Sequence, residues 1–517
     1  MGSLKKISFF ILLALSVLFV AIPFLRLLVT LVINFETYSL SIAFVTLVAK
    51  SLFYTSLQAF LSALLTIGAT FSLAVIFSHS SPSTLLDRIL RTLGGFGNFV
   101  FFLPSLSAAL FILFLNKHIP AFPSQGLWAV VGAHFFINFF FLFGRFYIKF
   151  KSHLQGSGEK VFQAAWLMGA PRFKIYLLVW SSLAKNEFRS WFPLIFWWSF
   201  SNFSTLLILG GLQYSSPEIL LFLSIQNDPT STRILILIFV QLLVGFFVSG
   251  TFLRHRANSE NYEITSALVP SLPKQKNDWL FCAVALAVLI LVFLPQCYFF
   301  LRALAVPLQS SPPEIILTSL APSFLFATFS SVLVLCFATL LCFAPTQFRR
   351  IMTLFLGFSA ATLCVSYVST DLIQSILHNK AASFFIMSLV QALLFLPTAA
   401  LWLSPRIDSL PTSQKQAAFC LGLGEWGFFK WVLWPQSSEL WMRLGLLCFV
   451  SGLGEILVTT LFMPETEFLA TAARKLSSRY AFDEAQWIIV VYSVTVATGL
   501  GLVFLLQKRR RKIIHEL

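Results

Sequence analysis

The sequence predicts an all-α membrane protein whose chain crosses the bilayer about 12 times. The composition, a series of long apolar runs and an internal repeat predict this class. Of the 517 residues, 58% are apolar and only 11% are charged, with a mean hydropathy of +0.85. Soluble domains carry about a quarter charged residues, and disordered chains have low hydrophobicity. The composition therefore excludes both of those classes.

Apolar runs bounded by charges, proline or glycine predict the individual spans. Lys5 and Lys6 precede the first run, as in a signal peptide. That run is too long for one and lacks an obvious small-residue cleavage site, so we expect a retained first span. Residues 37–50 are interpreted either as an interfacial helix or as an extension of the second span. The predicted spans are 7–32, 51–78, 96–116, 126–148, 190–211, 232–253, 279–301, 318–344, 351–374, 382–403, 441–463 and 486–507.

The positive charge of the chain follows the predicted topology. The net charge is +16, from 36 Lys and Arg against 20 Asp and Glu. If both termini are cytoplasmic, most of the basic residues fall in cytoplasmic segments, including 145–189 and the tail 508–512. This is the distribution that the positive-inside rule predicts. The charge thus indicates orientation and does not indicate a nucleic-acid surface.

Two cytoplasmic loops repeat one sequence pattern at a constant spacing. The loop 163–180 follows the fourth predicted span, and the loop 416–435 follows the tenth. The repeat predicts two parallel six-helix units, 1–253 and 278–517, joined by a polar cytoplasmic linker at 254–277 and related by an axis along the membrane normal. Four pairs lie 253 residues apart: Gln163 with Gln416, Ala164 with Ala417, Ala165 with Ala418, and Gly169 with Gly422.

The repeated residue types suit a surface that meets another protein. Small alanines let a partner approach closely, and each glycine can adopt positive φ and end a short helix. Aromatic residues after each glycine can anchor in a partner's socket. A single such loop could equally be an interfacial helix without a partner, but two copies at one offset favour docking. The aromatics are Phe173, Tyr176, Trp426, Phe428 and Phe429.

The repeated loop resembles the Glu-Ala-Ala loop of type I ABC-importer permeases, with Gln in place of Glu in both copies. Segments 196–211 and 449–462 are similar to the spans that follow this loop in fused two-copy permeases of the thiamine and ferric-iron importers. The resemblance implies the type I permease fold in the inner membrane of a bacterium. It also implies two copies of a separate ATPase docked on the loops and a periplasmic substrate-binding protein. Thiamine and ferric iron are the substrates that it implies.

Two polar residues in spans are candidates for a path or gate. Asn202 and Glu455 again lie 253 residues apart, and ionisable groups in spans are usually functional. One hypothesis places them face to face near the central axis, and the alternative is that hydrogen bonds within the fold satisfy them. His134 is predicted to be a hydrogen-bonded packing residue, and Asp371 to lie at the outer edge of its span.

Catalytic motifs are absent from the sequence. There is no Gly-x-x-x-x-Gly-Lys-Ser/Thr phosphate loop, no His-Glu-x-x-His and no Gly-x-Ser-x-Gly. We therefore expect no catalytic residue, metal or cofactor in this chain, and ATP hydrolysis by a separate subunit. Membrane lipid is a further expected partner. The alternatives are an ion-coupled secondary transporter and a non-transporting membrane scaffold.

Overall fold

A computed structural model gives the architecture of this protein. It describes residues 3–16, 41–79, 84–154, 167–169, 172–211, 216–227, 232–256, 278–308, 310–355, 358–368, 379–479 and 481–516, with 21–22, 25–26 and 29. Within these ranges every regular element is helical and no strand occurs.

Nine helices are described between residues 3 and 256, within the described ranges given above. They are α1 (Ser3–Ser16), α2 (Ile42–His79), α3 (Thr84–Phe102), α4 (Ser105–His118), α5 (Leu127–Leu154), α6 (Arg172–Phe200), α7 (Phe203–Leu209), α8 (Pro217–Asn227) and α9 (Thr232–Arg256).

The second half begins with a helix that ends in a short 3₁₀ turn, Val306–Leu308, and contains a π-helical turn at Phe429–Leu433. Its helices are α10 (Asp278–Ala305), α11 (Glu314–Phe343), α12 (Thr346–Leu354), α13 (Ala360–Val368), α14 (Lys380–Asp408), α15 (Thr412–Cys420), α16 (Glu425–Phe428), α17 (Trp434–Leu453), α18 (Leu457–Phe462), α19 (Leu469–Ser478) and α20 (Phe482–Glu516).

Six helices of the described chain are long and apolar enough to cross a membrane, or eight spans if each of two bent pairs counts as one. This makes the protein an all-helical, multi-pass membrane protein. The six helices contain the predicted spans 51–78, 126–148, 279–301, 318–344, 382–403 and 486–507 in whole or nearly so. Residues 42–50 continue α2, so their interpretation as an extension of the second span is correct.

Two predicted spans are bent rather than straight. Span 96–116 is predicted without a break, but α3 and α4 meet within it at 104° around Pro104. Proline lacks an N–H and disfavours helical geometry in the residue before it. Likewise, α6 and α7 meet at 55° just before Asn202.

Three of the other four predicted spans are not single long helices among the described residues. Span 7–32 is described only in part, up to residue 16 and at a few later positions, whereas span 232–253 lies within α9, whose apolar part is 236–251. Span 351–374 takes in parts of α12 and α13, and its end lies outside the described residues. Span 441–463 is interrupted between α17 and α18.

The offset of 253 residues also relates helix boundaries in the two halves. It carries α5 onto 380–407, where α14 is Lys380–Asp408, and α6 onto 425–453, which α16, the π-helical turn and α17 fill without a gap. It carries α7 onto 456–462, beside α18, and α8 onto 470–480, beside α19. The spacing first seen in two loops therefore also holds for the helices around them.

The first and last helices of each half pack against the opposite half. In the first half, α1 contacts α11 and α9 contacts α12; in the second, α10 contacts α2 and α20 contacts α3. Edge-to-face rings add two further contacts between the halves, α1 with α12 and α10 with α3. Phe9 meets Phe348 with ring centroids 5.2 Å apart, and Phe293 meets Phe96 at 5.1 Å.

Small residues let helices within each half approach closely. A Cβ placed on Gly94 of α3 would lie 3.1 Å from the Cα of Gly144 on α5. A Cβ on Gly452 of α17 would lie 3.2 Å from the Cα of Ala327 on α11. Small residues at helix crossings are typical of membrane bundles, where van der Waals packing and interhelical hydrogen bonds drive association.

Candidate functional site

Each repeated loop contains a glycine in the left-handed backbone conformation. Gly169 has φ of 73° and Gly422 has φ of 74°. A Cβ on either glycine would meet nothing within 4 Å, so the dihedral angle alone disfavours other residues there. Gln163, Ala164 and Ala165 lie outside the described residues.

The second loop is described throughout its backbone and ends its helix as the sequence predicted. Gln416 and Ala417 are exposed on α15, and Ala418 is buried. The Leu423 N–H donates to the Ala418 carbonyl at 3.0 Å, across Gly422. This is the long hydrogen bond of a Schellman motif, with the left-handed glycine at its usual position.

The residue before each glycine is an exposed apolar side chain. Met168 is 85% exposed and Leu421 is 80% exposed, and the two are 253 residues apart. Each side chain lies at the turn that the following glycine makes. This pair was not among the predicted site residues, although the repeat aligns its two members.

The aromatic side chains after Gly422 divide into two groups. Trp426 stacks on Phe429 with ring centroids 5.3 Å apart, and on Phe343 of α11 at 6.2 Å. Trp431 remains 65% exposed, and Trp426 itself 53% exposed. The ring contacts of Trp426 tie the second loop to the bundle, and the Lys430 ammonium lies over the exposed Trp431 ring, 5.2 Å from its centroid. The side chains of Phe173 and Tyr176 lie outside the described part of the first loop.

An ion pair links two helices near each loop, with the charges reversed between the halves. Asp87 of α3 accepts from Lys151 near the end of α5 and from Tyr147 Oη at 2.6 Å. Arg349 of α12 pairs with Asp408, the last residue of α14. The acid is therefore on the shorter helix in the first half and on the longer helix in the second.

Asn202 and Glu455 cap the short helices that follow the breaks. The Asn202 Oδ1 accepts from the Thr205 N–H at 3.2 Å, at the start of α7. The Glu455 Oε1 accepts from the Leu457 N–H at 3.1 Å and the Val458 N–H at 3.4 Å, at the start of α18. Equivalent positions thus perform the same capping task. This arrangement agrees with the alternative that hydrogen bonds within the fold satisfy both groups.

A buried polar layer beside Glu455 joins the two halves. Ser359 Oγ and Thr362 Oγ1 both donate to Gln241 Oε1 of α9, at 3.0 and 2.9 Å. Glu218 of α8 is 1% exposed and lies beside Ser359, but neither of its carboxylate oxygens has a hydrogen-bond partner of ordinary geometry. Glu218 was not among the predicted site residues, because it falls between two predicted spans.

A cavity of about 360 Å³ lies between the halves. Its walls come from α3, α5 and α6 of the first half and from α14 and α17 of the second. Arg145 is nine residues from the end of α5, about 13 Å at the rise of an α-helix. The cavity therefore lies toward the loop side of these helices. Three pairs of lining residues share the 253-residue offset: Lys149 with Trp402, Glu187 with Leu440, and Ser190 with Arg443.

The charged groups of the cavity are unevenly paired. Lys149 forms an ion pair with Glu187, which also accepts from Trp191 Nε1 at 3.2 Å. Arg443 pairs with Glu439. The Arg145 guanidinium lies over the rings of Phe141 at 4.3 Å and Trp191 at 5.3 Å. Among the described residues, no carboxylate pairs with Arg145.

The two remaining candidates from the sequence have no role in this site. His134 belongs to α5 and its side chain is 2% exposed. Its Nε2 has no hydrogen-bond partner among the described residues. The expectation that this side chain is hydrogen-bonded is therefore not met at that atom. Asp371 lies outside the described residues.

Comparison with known proteins identifies no family. No family model, curated protein or solved structure matches the chain.

Proposed function

We propose that this chain is the permease subunit of a bacterial ABC importer. The two halves are parallel six-helix repeats in the inner membrane, with both termini cytoplasmic, and together they surround the path of the solute. ATP is hydrolysed by separate subunits, and a periplasmic binding protein delivers the solute. The observation that carries this proposal is the pair of loops with exposed Met168 and Leu421, each beside a left-handed glycine.

The exposed pair supports docking of a partner at both loops. Burying a Leu or Met side chain contributes about 1.5–3 kcal/mol of favourable free energy. A loop that stays in water without a partner does not gain this free energy. The two side chains occupy equivalent positions, so the same kind of surface can cover both. Two copies of one ATPase are the simplest pair of partners that meets this condition.

The loops are built so that a partner's motion reaches the cavity. The second loop is fixed by its Schellman turn and by the stacking of Trp426 on Phe429 and Phe343. The helices that follow the two loops, α6 and α17, carry Glu187 and Arg443 into the cavity wall. A displacement of either loop therefore moves residues that line the path.

The identity of the solute is a separate matter. Thiamine and ferric iron come from the resemblance of the loops and following spans alone, and no contact in the described residues favours either. The charges and rings that line the cavity are the better guide to the class of solute.

The importer proposal is tested by purifying the chain from its native membrane with whatever remains bound. We expect an ATP-binding subunit to accompany the native chain and to be lost from a Met168→Asp, Leu421→Asp double variant, because a carboxylate cannot enter an apolar socket. The matched control is Leu308→Asp, since Leu308 is 88% exposed in the 3₁₀ turn, away from both loops. Retention of the ATPase by the double variant, or its absence from the native sample, would count against the proposal.

Two acids, the buried Glu218 and the half-buried Glu455, favour one alternative, an ion-coupled secondary transporter. Glu218 and Glu455 lie near each other in the interface between the halves, where an ion or proton could bind. Reconstituted vesicles separate the two functions. Uptake that follows an ion gradient without any ATPase would establish the alternative, and uptake only with ATP and an ATPase would exclude it.

A further inference from the structure

We propose that the cavity between the halves binds a small organic anion, whose phosphate or carboxylate group is held by Arg145 and Arg443 and whose flat or apolar body lies against the tryptophans. This inference rests on the proposed function, since it names the class of solute that the permease would carry. Three properties of the cavity favour such a ligand: one unpaired cation, an excess of positive charge, and aromatic walls.

Arg145 is the strongest feature of the site. Its guanidinium is exposed to the cavity and stacked on Phe141 and Trp191, and no carboxylate of the described chain pairs with it. Ring contacts fix the plane of a guanidinium while leaving its N–H groups free to donate. A guanidinium held in this way matches the two oxygens of a carboxylate or phosphate.

The remaining charges favour the same sign of ligand. Arg145, Lys149 and Arg443 line the cavity with a single lining acid, Glu187, which Lys149 already neutralises. Glu439, the partner of Arg443, does not line it. A free cation such as thiamine or ferric iron would be repelled by the two arginines, whereas an anion would be attracted.

The walls and the volume define the rest of the ligand. Trp191, Trp198 and Trp402 contribute flat aromatic surface from both halves. A volume of about 360 Å³ lies within the range of small-molecule sites, about 300–1,000 Å³. The headgroup of an anionic lipid shares the anionic chemistry. The paired positions from both halves place the cavity between them rather than on the outer, lipid-facing side, which favours a solute.

The test measures binding to the purified chain in nanodiscs made of neutral lipid, with no ATPase present. The probes are radiolabelled phenyl phosphate and, as a cation of similar size, benzyltrimethylammonium. We expect saturable binding of phenyl phosphate in the micromolar to millimolar range and none of the cation. Arg145→Gln and Arg443→Gln are each expected to raise the Kd for phenyl phosphate about tenfold or more, because each removes a charge-assisted hydrogen bond.

The control is Arg302→Gln, which removes an exposed positive charge at the end of α10 and should leave the Kd unchanged. Arg145→Lys keeps the charge without the planar fork and should give an intermediate Kd, which separates a binding role from a folding defect. The Tm of every variant is measured alongside.

Three results would overturn the inference: no saturable binding of phenyl phosphate, equal or tighter binding of the cation, or an Arg145→Gln variant that folds and binds as the native chain does. Nanodiscs containing phosphatidylglycerol separate solute from lipid. Unchanged affinity supports a solute site, and lost affinity would assign the cavity to a headgroup. Because no ATPase takes part, a negative result here leaves the loop-docking experiment unaffected.

Discussion

At the scale of single residues, two glycines near one another allow a matched test of the loop. Gly422 has positive φ, whereas Gly424 has φ of −68°, and a Cβ on either would meet nothing within 4 Å. Gly422→Ala should therefore cost about 1–2 kcal/mol through the backbone alone, and Gly424→Ala should not. We expect weaker ATPase retention and faster amide exchange over 416–424 in Gly422→Ala only. Equal behaviour of the two variants would show that the turn is unimportant.

A second residue-scale prediction concerns Glu218. Its carboxylate is buried without hydrogen-bond partners of ordinary geometry, which is costly for a charged group. Glu218→Gln keeps the shape and removes the charge, so we expect a Tm equal to or above that of the native chain. A variant that folds normally but no longer transports would instead give this acid a role in the solute or ion path.

At the scale of elements, substitutions of the residues that cap α7 and α18 distinguish a structural role from a gating role. Glu455→Gln keeps a side-chain oxygen for the Leu457 and Val458 N–H groups, whereas Glu455→Ala removes it, at a cost of about 1 kcal/mol. If the cap is the whole role, Glu455→Gln should transport at the native rate and Glu455→Ala more slowly. Transport lost equally in both variants would indicate that the carboxylate charge acts in the path, and a native rate in Glu455→Ala would refute gating.

The equivalent position in the first half, Asn202, allows the same comparison. Asn202→Asp keeps the acceptor for the Thr205 N–H, and Asn202→Ala removes it. Stability of the reconstituted variants, measured as Tm, should fall for the alanine and hold for the aspartate. The same ordering at both breaks would give the two positions one shared function.

At the scale of the whole molecule, the sequence predicts the class, six of the spans and the conformation of both loop glycines. It does so because apolar runs and a repeated Gly position depend on local properties of the chain. Proline in an apolar run signals a break. The bend at Pro104 was nevertheless not predicted, because the residues on both sides are apolar enough for the run to resemble one continuous span. The cavity and the buried polar layer around Gln241 could not be predicted, since they form only where the two halves meet.

The contact between Gln241 and Ser359 has a consequence for how the protein is made. These residues are 118 positions apart, on opposite sides of the linker. At about 5–20 residues per second, the ribosome needs roughly 6–24 s to reach Ser359 after adding Gln241. During that interval Gln241 lies in an apolar helix without its final hydrogen-bond partners. The face of α9 that later contacts α12 is also uncovered. The first half therefore exposes this polar and apolar surface until the second half has been synthesised.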